Sequence, residues 1–151
     1  MPTLYIPSPQ AMLELGARLG AAAHPGTVVA LHGDLGAGKT VLARGVGQGL
    51  GVTTRVASPT FVLVQAHEGG RLPLWHADLY RLDDPEELEQ LGLDEMLEGP
   101  GVTLVEWADR FPAVLPDDHL VLAIAHEGEA RRVTLHATGP RHAALEAALA
   151  G

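Results

Sequence analysis

Thr27-Val28-Val29-Ala30-Leu31-His32 runs directly into Gly33-Asp34-Leu35-Gly36-Ala37-Gly38-Lys39-Thr40, and Val41 to Leu50 follows. The first segment is a short apolar run behind a Pro25-Gly26 break and reads as a buried strand. The second satisfies the phosphate-loop pattern G-x-x-x-x-G-K-[ST] at every fixed position. The third carries apolar residues at helical spacing, although its glycines lower the propensity and leave tertiary packing to hold it. Strand, glycine-rich loop and helix, in that order, are what the motif requires.

The chemistry follows from the residue types. Glycines let the backbone bend so that successive N–H groups point at phosphate oxygens, and the helix N-terminus adds partial positive charge. Lys39, the only lysine in the chain, supplies a compact ammonium on a flexible stem, suited to reach between β- and γ-phosphates. The Thr40 hydroxyl would ligate Mg²⁺. The expected nucleotide-binding residues are therefore Asp34, Leu35, Gly36, Ala37, Gly38, Lys39, Thr40 and Val41. An ordinary glycine-rich turn is the plain alternative, and the full motif in context weighs against it.

At 151 residues the chain is long enough for one domain with a single core. It contains no cysteine, which excludes disulfides, thiolate metal sites and cysteine nucleophiles. No apolar run approaches membrane-spanning length and no secretory signal is visible, so a soluble cytoplasmic protein is expected. The net charge of −9 argues against a chain that grips nucleic acid unaided. Only a small basic patch from Arg71, Arg131 and Arg132 is available.

Further along, residues 8–23 read as an amphipathic helix capped by Ser8, with Pro9 at its first position. Thr54 to Ala57 precedes a Ser58-Pro59-Thr60 turn. Phe61 to His67 and Leu72 to Leu79 read as a hairpin across Glu68-Gly69-Gly70-Arg71. Asp84-Pro85-Glu86-Glu87 is a helix start, and Leu88 to Leu97 continues as short helix broken near Gly92. Val102 to Val105 is a strand, Leu120 to Ala125 and Arg132 to His136 form a second hairpin, and Pro140 to Ala150 is a closing helix. The expected fold is α/β: a P-loop NTPase-like three-layer domain with a mixed, partly antiparallel sheet.

A phosphate-loop site needs an acid at a strand end to hold metal or orient water. Glu106 ends the apolar run Val102 to Val105, and Asp78 ends Leu74 to Ala77, where alternation puts His76 and Asp78 on one face. A solvated strand-end acid is the alternative for each. Thr60 sits on a proline-stiffened turn, where a hydroxyl suits a switch element reaching the γ-phosphate. Trp107 either packs beside the nucleotide or fills core, and composition favours core. The histidines, His32 and His76 among them, show no metal-ligand spacing and read as core or surface residues.

Taken together these segments resemble the bacterial TsaE family, the ATPases of tRNA threonylcarbamoyladenosine biosynthesis. The resemblance rests on Gly33 to Thr40, Ser58-Pro59-Thr60-Phe61, His76-Ala77-Asp78-Leu79-Tyr80-Arg81-Leu82, Leu91-Gly92-Leu93-Asp94-Glu95 and Val105-Glu106-Trp107. It spans about Gly26 to Arg132. It implies a small ATPase, with ATP and Mg²⁺ as cofactors, whose nucleotide cycle supports partner proteins of the TsaB and TsaD type. Those partners place threonylcarbamoyl on the adenosine beside the anticodon, so tRNA is met only indirectly. By position Lys39, Asp78, Glu106 and Thr60 carry over as catalytic residues, and Thr40 with Glu106 as metal ligands. Direct metal contact stays open between Glu106 and Asp78. One departure is Val41, where many members carry a second hydroxyl; the ligating hydroxyl, Thr40, is present.

Two other readings use the same loop. A small-molecule kinase would need an acceptor pocket and an arginine-bearing lid, whereas these arginines are scattered and the region after Asp78 is short. A nucleotide-switched binding module with negligible hydrolysis would share the fold and differ only in kinetics.

Overall fold

The computed structural model describes residues 1–34, 36–53, 64–80, 82, 84, 86–87 and 92–151. Its strands are β1 (Thr3–Ile6), β2 (Val28–Gly33), β3 (Val64–His67), β4 (Leu74–Asp78), β5 (Val102–Glu106), β6 (Leu120–Glu127) and β7 (Ala130–Ala137). Its helices are α1 (Pro9–Ala22), α2 (Lys39–Leu50), α3 (Leu93–Glu98) and α4 (Pro140–Ala150), with 3₁₀ turns at Ala108–Arg110 and Pro112–Val114.

The strands form one sheet in the order β1-β7-β6-β2-β5-β4-β3. The inner four, β6, β2, β5 and β4, run parallel. Antiparallel strands close both sides, β7 and β1 on one and β3 on the other. Near-continuous apolar runs belong in such inner strands because both faces are covered. In β2, Val29 and Leu31 face the core under α1, α2 and α4, while Val28 and Ala30 face the smaller core under α3. The layers are thus helices, mixed sheet and helix, as expected from the sequence. No helix among the described residues is long and apolar enough to cross a membrane.

The helix ends carry their own locks. Ser8 Oγ accepts from Ala11 N at 3.1 Å at the start of α1. Arg71 Nη2, on the β3–β4 connection, donates to Gly20 O and Ala23 O at 2.8 Å each, satisfying carbonyls at the other end. The expected hairpins are present, the second turning through Gly128 at φ 60°. Gly92, also left-handed at φ 69°, stands immediately before α3. Strand β1 was not anticipated: four residues with a single buried position leave little pattern, and its pairing with β7 is long-range. The expected strand at 54–57, the turn at 58–60, residues 61–63 and the helical stretch 88–91 lie outside the described residues.

The glycines of α2 find their packing partner in α1. A Cβ at Gly16 or Gly20 would lie 2.3 Å from Leu42 O or Val46 O. One at Gly45 or Gly49 would lie 2.2 Å from Leu13 O or Ala17 O. The two helices therefore touch backbone to backbone along glycines spaced four apart, which recovers through packing what the glycines forgo in propensity. This contact fixes the helix that begins at Lys39.

Candidate functional site

Four elements converge at the C-terminal ends of β2, β4 and β5. The loop after β2 turns through Gly36 and Gly38, whose φ values of 80° and 119° suit residues without a Cβ. Helix α2 then opens with no side-chain cap from the described residues. Its first backbone bond runs from Leu42 N to Gly38 O at 3.0 Å. The amides of Lys39, Thr40 and Val41 thus lack intrahelical partners, the condition for an anion seat.

An open cleft of about 260 Å³ lies against these amides, lined by Gly36, Gly38, Lys39, Thr40, Val41, Asp78, Glu106 and Trp107. Strand register explains the meeting: Asp78 of β4 pairs with Glu106 of β5, so both carboxylates project from neighbouring positions on the face toward α2. Of the sequence candidates, Gly36, Gly38, Lys39, Thr40, Val41, Asp78 and Glu106 share this cleft. Asp34 lines an adjoining hollow with His32, Trp107 and Asp109, and its carbonyl accepts from Ala37 N at 3.0 Å. Ala37 is fully buried beneath the loop. Leu35 and Thr60 lie outside the described residues.

Glu106 is buried, hydrogen-bonded at one oxygen and facing a more distant ammonium with the other. Its Oε2 accepts from His76 Nε2 at 2.6 Å, and its Oε1 lies 3.6 Å from Lys39 Nζ. Burial opposes its ionisation, but the His76 hydrogen bond and the charges of His76 and Lys39 outweigh that and hold the carboxyl below its ordinary range. Asp78 moves the other way. Burial pushes its carboxyl up, helped by the neighbouring Glu106 charge and resisted by the 2.9 Å bond from Tyr80 N. One site therefore holds two acids with opposite tendencies.

Among the described residues no group of three or more His, Asp and Glu side chains forms a ready metal cage. A magnesium site does not need one, since that ion is commonly held by one or two carboxylates together with substrate phosphates. A buried, ionised Glu106 whose Oε1 has only a long ion pair, next to Thr40 and Asp78, fits that requirement.

Three further residues belong to the site and were misjudged or passed over in the sequence. His76 is not an isolated core histidine but the anchor of Glu106; its alternation with Asp78 was the available signal. Trp107 is half-buried in the cleft wall rather than core, with its ring 4.7 Å from Lys39 Nζ and 4.9 Å from the Tyr80 ring. Its φ of 62° makes it the one non-glycine with a left-handed backbone among the described residues, and such strain gathers at functional sites. Arg131 donates from Nε to Ala37 O at 3.0 Å and so braces the phosphate loop from β7. Nothing in the sequence pairs these two segments.

On the far side of the loop a second crevice, about 130 Å³, is lined by Ile6, Ser8, Met12, Gly36, Val41 and Arg131 among others. It is mainly apolar and continuous with the loop residues. The supposed basic patch does not form. Arg71 and Arg131 bond backbone carbonyls in separate places, and Arg132 pairs with Glu127 at 2.6 Å.

Comparison with known proteins gives a consistent result. Residues 6–134 match the family model described as "Threonylcarbamoyl adenosine biosynthesis protein TsaE". The tRNA threonylcarbamoyladenosine biosynthesis protein TsaE of Bacillus subtilis is 47% identical over 124 residues, covering 82% of this chain and 77% of the relative. The proteins of the same name from Nostoc and Haemophilus influenzae are 39% and 38% identical, over 87% and 88% of this chain and 83% and 87% of theirs. The crystal structure of Bacillus subtilis YdiB superposes with a TM-score of 0.85 at 36% identity, covering 97% of this chain and 92% of that one.

Proposed function

Because the chain belongs to the TsaE family of tRNA threonylcarbamoyladenosine biosynthesis, we propose that it is the Mg²⁺-dependent ATPase of that machinery. The observation that carries this reading is a single open cleft bringing together uncapped α2 amides, Lys39, Thr40 and two strand-end acids.

In this reading the amides at the start of α2 receive the polyphosphate and Lys39 leaves Glu106 for the β- and γ-phosphate oxygens. The Thr40 hydroxyl and Glu106 would hold magnesium, which would supply charge neutralisation at the phosphate oxygens. Asp78, whose carboxyl is drawn toward the protonated form, lies beside Glu106 and serves the attacking water. Thr60 keeps its proposed role as the switch hydroxyl. The apolar crevice beside Val41 takes the base, with Ile6 and Met12 on its walls and Arg131 at its rim.

The partners are proteins of the TsaB and TsaD type, which perform the transfer in the cytoplasm, and this chain meets tRNA only through them. Its charge of −9 supports that division, as do arginines 18, 71, 110, 131 and 141, which bond backbone carbonyls of this chain. The same engagement disfavours a kinase with an arginine lid.

The test is ATP hydrolysis and tRNA modification in a reconstituted mixture, with intact protein and with Lys39→Ala. Turnover should rise when the partners are added. The substitution should lower it on the order of 10³-fold, about 4 kcal/mol of transition-state stabilisation. Unaltered modification over many turnovers without this protein would refute the reading.

A further inference from the structure

The carboxylate of Glu106 can spin about its last side-chain bond, a broad two-fold torsion with little preference of its own. In this structure one contact removes that freedom: the 2.6 Å bond from His76 Nε2 to Oε2. His76 is fully buried, and its side chain shares the α2-facing side of β4 with Leu74, which is plain core. Its other ring nitrogen, Nδ1, is buried and has no hydrogen-bond partner among the described residues. Leaving a buried polar atom unmet is destabilising, a cost which an apolar residue at this position would avoid. Among the described residues the one hydrogen bond of the ring is directed at Glu106.

The second oxygen tells what that bond is for. Oε1 faces Lys39 across 3.6 Å, an ion pair too long for a good hydrogen bond. Lys39 also lies over the Trp107 ring, so its position is not set by Glu106 alone. With Oε2 tethered, Oε1 can part from Lys39 without the carboxylate swinging after it. Untethered, the carboxylate would rotate onto the ammonium and close a tight pair across the phosphate seat.

We propose that His76 is a positioning residue that holds Glu106 by Oε2, so that Oε1 stays aimed into the cleft and can exchange Lys39 for the substrate-bound cation. The proposal rests on the ATPase reading above. It adds to it the reason that Lys39 and Glu106, opposite charges in one cleft, do not neutralise each other beyond recovery.

The test compares His76→Gln with His76→Asn in the full chain. The glutamine amide reaches about as far as Nε2 and can donate to Oε2, whereas the asparagine amide stops short; both keep a polar group in the same space. Lys39 is the sole lysine, so selective lysine labelling yields one side-chain resonance that reports its pairing without any turnover. The Gln variant should keep that resonance near the parent position. The Asn variant should move it opposite to the shift produced by Glu106→Gln, which removes the pair. In hydrolysis with the partners, Asn should lower kcat about 10- to 100-fold, as lost outer-shell contacts do, and change KM for ATP by less than about 3-fold. Gln should recover most of the loss.

If Gln and Asn behave alike in both measurements, or if Asn leaves the lysine signal and kcat in place, the positioning role is refuted. Absence of hydrolysis by the parent protein sinks the ATPase reading instead, and the lysine resonance still decides whether His76 orients Glu106.

Discussion

Two buried histidines, each paired with a carboxylate, stand at opposite ends of the parallel strands, and the pairs are built to different standards. At the N-terminal end, His142 Nδ1 donates to Asp118 Oδ1 at 2.8 Å while its Nε2 accepts from Val28 N at 3.0 Å. Asp118 also accepts from the amides of Arg141 and His142, so it caps α4 from a distance where Gly139 offers no side chain. Every polar atom of that histidine ring is used. At the C-terminal end, His76 Nδ1 has no partner among the described residues, and Glu106 keeps one oxygen for a long pair with Lys39 beside an open cleft. The closed pair holds the fold together; the half-open pair retains bonding capacity for something that arrives.

That contrast can be broken at either end. The largest effect is expected from Glu106→Gln, which should lower hydrolysis on the order of 10²-fold while leaving ATP binding within a few-fold. Parallel turnover and equilibrium-binding measurements check this, and a matching loss of affinity would count against a hydrolytic role.

Asp118→Ala should do the reverse. It strands the His142 imidazole N–H and two α4 amides, for an expected loss of about 2–3 kcal/mol of stability in urea unfolding. Nucleotide affinity should not change. If affinity falls with stability, the two ends are coupled and the contrast is wrong.

Acid should find the closed pair first. Burial lowers the proton affinity of His142, opposed by its bond to Asp118 and assisted by His24 and Arg141. The unfolded chain therefore binds a proton at this residue before the folded one does, and stability falls as pH drops below the ordinary histidine value near 6.5. Asp118 adds a later loss. Burial opposes its ionisation, but the Arg141 and His142 hydrogen bonds prevail and depress it, so its contribution disappears through the carboxylate range. Unfolding midpoints measured from pH 8 to 2 should decline in those two stages, and a flat profile down to pH 5 would refute the His142 assignment.

The smallest effect belongs to Asp78→Asn. Because the folded state raises this carboxyl, its ionised form at neutral pH works against folding. Removing the charge, while keeping an acceptor for Tyr80 N, should stabilise the protein by less than about 1 kcal/mol after solvent screening. Turnover should fall in the same variant. A stabilised, inactive protein would show that this acid serves chemistry at the expense of stability.

The sequence made the centre of the candidate site legible and left its supports hidden, for a physical reason. Lys39, Thr40 and the loop glycines are contiguous, so their spacing is written along the chain. Asp78 and Glu106 were readable because each ends an apolar strand, and the adjacent register that joins them follows from parallel pairing. His76 was one inference away: its place on the Asp78 face was evident, but its partner lies on another strand. Arg131 and β1 carried no local sign, since both depend on pairing between the two ends of the chain. Trp107 was misread because composition cannot report a left-handed turn that tips a ring toward a lysine.

The glycine seam between α1 and α2 has a mechanical consequence. With carbonyl and Cα groups in direct apposition, there is no cushion of side chains there to compress or reshuffle. The proposed phosphate seat and the crevice walls supplied by Ser8 and Met12 therefore belong to one closely packed block. The side facing it across the cleft is held differently, by the Trp107 ring, which lies 4.7 Å from Lys39 Nζ and 4.9 Å from the Tyr80 ring.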